Sequence, residues 1–130
     1  MPDLSLAPPS VRALAEFLTS RRASLSVVRF DSPVNQELRS ETPRGTVQVL
    51  VDRGQWFVEL APSGSNEFFN VAVWIACLEG GDEDAILLPL DAQTTWIANY
   101  LASSEPRKFS IECLLNVRRA RAYRRMGLRP

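Results

Sequence analysis

Gly45-Thr-Val-Gln-Val-Leu-Val51 alternates in polarity, Asp52-Arg53-Gly54 interrupts the run, and Gln55-Trp-Phe-Val-Glu-Leu60 returns. A period of two marks a half-buried strand, and a short break whose glycine can take positive φ closes two such runs into a β-hairpin. Trp56 and Phe57 are adjacent on the second strand, so their side chains point to opposite faces. One packs under the sheet, and the other covers a helix or stands at the surface. An aromatic left at the surface is a natural interface anchor, and Trp56 is the candidate for that role.

Upstream of the hairpin, Ser24 to Asp31 sets Leu25, Val27 and Phe30 against Ser26 and Arg29 and closes at Asp31-Ser32-Pro33, which predicts a strand. The polar stretch Asn35 to Arg44 reads as a loop or a poorly paired strand. Pro8-Pro9-Ser10 opens a helix with Ser10 as its cap. Val11, Leu14, Phe17 and Leu18 form its apolar stripe, and Arg21 and Arg22 fall in its last turn.

Downstream, Ala61 to Asn66 breaks the strand. Glu67 to Leu78 fits both periods; length and the Gly80-Gly81 terminator favour a helix for its second half, after extended Phe68 and Phe69. Ala85 to Leu88 suits a short last strand. Asp91 caps a helix carrying Trp96, Ile97, Tyr100 and Leu101. Ser104-Glu105-Pro106 starts a final helix that runs to about Met126 and ends at Gly127. These elements predict one α+β domain over residues 1–130, with loosely ordered tails at 1–8 and 127–130. A small antiparallel sheet of three or four strands is flanked by an N-terminal helix and two or three C-terminal helices.

Composition narrows the function. The 130 residues are 45% apolar and 23% charged, with no histidine. Ser-His-Asp and Cys-His catalysis and histidine-containing zinc sites therefore have no imidazole to use. P-loop, GxGxxG and GxSxG motifs are missing, and no nucleophile is joined to a base, so an enzyme is not expected. Cys77 and Cys113 stand 36 positions apart and read as buried free thiols. The first residues lack a basic signal-like region, and no apolar run approaches the ~20 residues needed to cross a bilayer. A soluble cytoplasmic protein is expected.

The zero net charge hides a split. Asp31 to Glu105 holds 12 acids against three bases, a net of −9, whereas the chain from Arg107 onward carries eight bases against Glu112. On the last helix Arg118, Arg121 and Arg125 share one face, which suits phosphate tracking along nucleic acid or a solvated helix face balanced by the acidic body. Glu79-Gly-Gly-Asp-Glu-Asp84 places Glu79, Asp82, Glu83 and Asp84 in six positions. It lacks EF-hand spacing, so no metal or cofactor is expected, but such a loop can plug a basic cleft on another protein.

Val51-Asp-Arg-Gly-Gln-Trp-Phe-Val-Glu-Leu-Ala-Pro62, then Glu67-Phe-Phe69, Val73-Trp-Ile-Ala-Cys-Leu-Glu-Gly80 and the arginine-rich Arg118 to Arg125, resemble small bacterial immunity-type proteins of polymorphic toxin systems. The resemblance covers about residues 45–126 and rests on folding residues rather than chemistry. It implies a cytoplasmic protein that binds a cognate toxin domain and blocks it sterically. The expected function is thus a non-catalytic protein-binding module with Glu79, Asp82, Glu83, Asp84 and Trp56 as contacts. The alternative is a nucleic-acid-binding or regulatory protein using Arg118, Arg121 and Arg125.

Overall fold

The hairpin forms the second half of a four-stranded meander in which every neighbouring pair is antiparallel. The computed structural model describes residues 2–80, 88–103, 110–125 and 127. Helix α1 (Pro9–Ser20) precedes β1 (Ser26–Ser32), β2 (Asn35–Thr42), β3 (Gly45–Asp52) and β4 (Gln55–Ala61). Helices α2 (Val71–Glu79), α3 (Leu90–Ala102) and α4 (Ile111–Arg125) follow. This is the α+β architecture read from the sequence. The expected short strand at Ala85 to Leu88 lies outside the described residues except for Leu88, which is not in a strand.

The fourth strand comes instead from the polar stretch Asn35 to Arg44. It is neither loop nor poorly paired strand: β2 is interior, bonded to β1 on one side and β3 on the other. Its inward positions are Gln36, Leu38 and Ser40, all buried, so a hydrophobicity pattern misses it. Backbone carbonyls compensate the two polar ones. Gln36 Nε2 donates to Asp3 O at 2.7 Å and Pro33 O at 3.3 Å, and Ser40 Oγ donates to Ala23 O. Gln36 Oε1 accepts from no group among the described residues. The first bond also ties down the segment before α1, expected as a loose tail, in which Ala7 is buried.

Helix boundaries shift from the sequence reading for local reasons. Ser10 does not cap α1. The helix starts at Pro9, with no N–H to satisfy, and Pro8 O accepts from Val11 N and Arg12 N at 3.0 and 3.1 Å. Arg21 and Arg22 follow α1 rather than filling its last turn. In α2, Asn70 Oδ1 accepts from Val73 N at 3.1 Å and Gly80, at φ 82°, ends the helix. Phe69, extended before it, bridges Leu60 of β4. Asp91 lies in the first turn of α3 rather than at its cap, which is Pro89. The start expected for α4 at Ser104 to Pro106 lies outside the described residues.

The helices cover one face of the sheet. Val11, Leu14 and Leu18 of α1 meet Leu38, Val47, Val49, Val58 and Leu60 of the strands, with Trp74, Ile97 and Leu114 from the other helices. Cys77 and Cys113 are not free: they form a disulfide between α2 and α4, with Cα atoms 5.9 Å apart. Spacing along the chain carries no information about that distance, which packing of α4 on α2 alone creates.

Gly45, which opens β3, has φ 149°. A Cβ there would stand 2.5 Å from Ala61 O, a backbone atom of the neighbouring strand. Gly45→Ala is therefore expected to cost about 2 kcal/mol, within the range for forced backbone conformations. Urea denaturation checks this, and a loss below about 0.5 kcal/mol would contradict it.

Candidate functional site

The uncovered sheet face is polar, and its groups bond to one another. Register aligns Arg39, Gln48 and Glu59 across β2, β3 and β4. Arg39 Nε donates to Gln48 Oε1 at 3.1 Å, Arg39 Nη2 to Glu37 Oε1 at 3.2 Å, and Gln48 Nε2 to Glu59 Oε1 at 3.2 Å. The Arg39 guanidinium also lies over the Phe68 ring, 4.8 Å from its centroid. Beside this row Phe57, 45% exposed, stands opposite Leu50. The face thus offers one exposed aromatic, Phe57, set against a preorganised charged row.

The larger apolar exposure is at the other end of the sheet. No residue of β1 joins the buried core, although Val27 and Phe30 pair with Leu38 and Gln36 and so share the helix-side face. Val27, Val28 and Phe30 are 40%, 50% and 49% exposed, and Val34 in the following turn is also exposed. Leu6, also exposed, belongs to the segment that Gln36, the partner of Phe30, binds at Asp3. The strand bears register shifts between Val27 and Arg29 and between Phe30 and Ser32, and an exposed Arg29–Asp31 ion pair at 2.8 Å. Irregularities and edge charges discourage unselective strand addition. Apolar exposure gathered at one place beside a formed core is a feature that interaction surfaces share.

The predicted site residues do not converge. Trp56 packs half-buried against the core, so of the aromatic pair Phe57 is the one at the surface. Glu79 is exposed at the end of α2, and Asp82, Glu83 and Asp84 lie outside the described residues. Arg118 is engaged internally: its Nη2 donates to Glu67 Oε2 at 3.1 Å, and its guanidinium lies 4.7 Å from the Phe69 centroid. Arg121 and Arg125 belong to α4, but their side chains are outside the described ones. Sequence reading missed the β1 shoulder. The adjacent pair Val27-Val28, which breaks the alternation, was its available signal, since a bulge with an extra residue is an edge-strand feature.

At the core, Trp96 stacks on Tyr100 with ring centroids 5.3 Å apart, and Trp74 lies at 5.3 Å from the same ring. Burial pushes the Tyr100 phenol above its ordinary value, with Arg44 nearby pulling the other way, so it is neutral at physiological pH. Among the described residues no group of three or more His, Cys, Asp or Glu side chains is placed to hold a metal ion, and no helix is long and apolar enough to cross a membrane. Comparison with protein-family models, curated proteins and solved structures finds no match to this chain.

Proposed function

We propose that this protein is a non-catalytic protein-binding module, and that its partner seats on the helix-side shoulder of β1. The exposure of Val27, Val28, Phe30 and Val34 beside a fully formed core carries this reading. The opposite sheet face supports it by contrast, because its charged groups already engage each other. The resemblance to immunity-type proteins supplies the kind of partner: a cognate toxin domain blocked by steric occlusion in the cytoplasm. The sequence adds the acidic run Asp82-Glu83-Asp84 as a candidate charged contact.

Phe30→Glu tests the apolar half. Its side chain is half exposed, so the fold tolerates the change, whereas a charge in a desolvated interface centre costs at least about 2 kcal/mol, or roughly thirtyfold in affinity. Tagged wild-type protein should retain one stoichiometric protein from its native lysate through a high-salt wash, and Phe30→Glu should lose it. Equal retention by both would refute the shoulder. Nucleic acid released by salt, in place of a protein, would favour the arginine helix. Replacing Asp82, Glu83 and Asp84 by Ala with no loss of binding would remove the acidic loop from the contact.

A further inference from the structure

A cleft of about 450 Å³ opens where the end of α1, the β2–β3 turn and the end of α3 meet. It lies in the size range of small-molecule sites, roughly 300–1,000 Å³. Phe17, Leu18 and Leu101 give it an apolar wall, while Arg21 and Arg44 line it with positive charge. No carboxylate is among the described residues lining it.

The two guanidinium groups differ in what they already do. Arg44 lies over the Tyr100 ring, 5.0 Å from its centroid, and its Nη1 donates to Ser103 O at the end of α3. That cation answers the negative end of a helix dipole. Arg21 lies 5.0 Å over the Phe17 ring, and among the described residues its guanidinium has neither an ion pair nor a hydrogen bond. The backbone needs at the end of α1 are met without it: Leu18 O accepts from Arg21 N and Ala23 N, and Thr19 O from Arg22 N. Stacking restrains the Arg21 side chain while leaving its five donors available, the condition for receiving a planar anion.

We infer that this cleft binds an amphipathic carboxylate, its apolar body against Phe17, Leu18 and Leu101 and its carboxylate on Arg21. The inference is independent of the β1 shoulder, which lies on other elements of the fold. Decanoate is the probe, titrated below micellisation into the full ¹⁵N-labelled chain and followed by amide shifts, with decanol as the uncharged control. Shifts should concentrate at Ala23, Thr42, Arg44 and Leu101, and decanol should bind at least about tenfold more weakly, the value of one charge-assisted bond. Arg21→Gln, at an exposed position, should weaken decanoate about tenfold and leave decanol unchanged. The inference is overturned if these amides do not move, if shifts concentrate on Val27 to Val34 instead, if decanol binds as well as decanoate, or if Arg21→Gln changes nothing.

Discussion

Replacing Cys77 and Cys113 by serine is expected to lower the unfolding free energy by about 3–4 kcal/mol. The bridge closes a loop with a sequence separation of 36 residues, and removing such a cross-link returns that much loop entropy to the unfolded chain. For a chain of this length the loss corresponds to a fall in Tm of roughly 10 °C. The effect should concentrate on α4. Among the described residues that helix is held to the body by the bridge, by buried Leu114 with half-buried Leu115 and Val117, and by exposed Arg118 on Glu67 and Phe69, and a surface pair contributes at most about 1 kcal/mol. Amide exchange in α4 should therefore accelerate more than in the sheet. Dithiothreitol should bring the wild type to the level of the double variant and leave that variant unchanged. A difference below 1 kcal/mol between oxidised wild type and variant would rule out a stabilising bridge. The same chemistry bears on the proposed cytoplasmic setting, where thiols are kept reduced and a persistent disulfide is rare.

Trp74→Ala should cost about 4 kcal/mol, at the upper end of what large-to-small core changes produce. The indole is fully buried, packs against Trp96 and Tyr100, and donates Nε1–H to Leu60 O at 2.9 Å. It joins α2 to β4 and α3 at one point, so its removal opens a cavity where three elements meet. Trp74→Phe should lose only about half as much: it keeps an aromatic ring, and Leu60 O still accepts from Phe69 N at 3.1 Å through the paired bridge. Urea denaturation followed by circular dichroism reads both. Should Trp74→Ala fall within 1.5 kcal/mol of wild type, α2 is not anchored through this residue.

Trp74 and the exposed residues of β1 show why the candidate site was harder to read than the fold. Trp74 sits in a stretch that fits both periods, where length and the glycine terminator are enough to favour the helix that forms. The doubled Val27-Val28 hints at an edge strand, but nothing else about Val27, Val28 or Phe30 in the sequence separates an apolar residue under a helix from one beyond the helix layer. Strand order decides that, because β1 is at the edge and the helices stop short of it. Arg21 is similar: its place after α1 is legible, but the wall formed by Leu101, some 80 residues away in sequence, is not.

By itself the sequence determined the β3–β4 hairpin, the amphipathic α1 and the α+β class. Each follows from side-chain period or from local turn chemistry, which act within a few residues. Tertiary structure alone decided that polar β2 is an interior strand, since Gln36 and Ser40 each find a carbonyl partner in a segment flanking α1, far along the chain. It also decided that Cys77 meets Cys113 and that Phe57 rather than Trp56 reaches the surface. Each of these depends on which element lies across from a residue, a relation that distance along the chain does not encode.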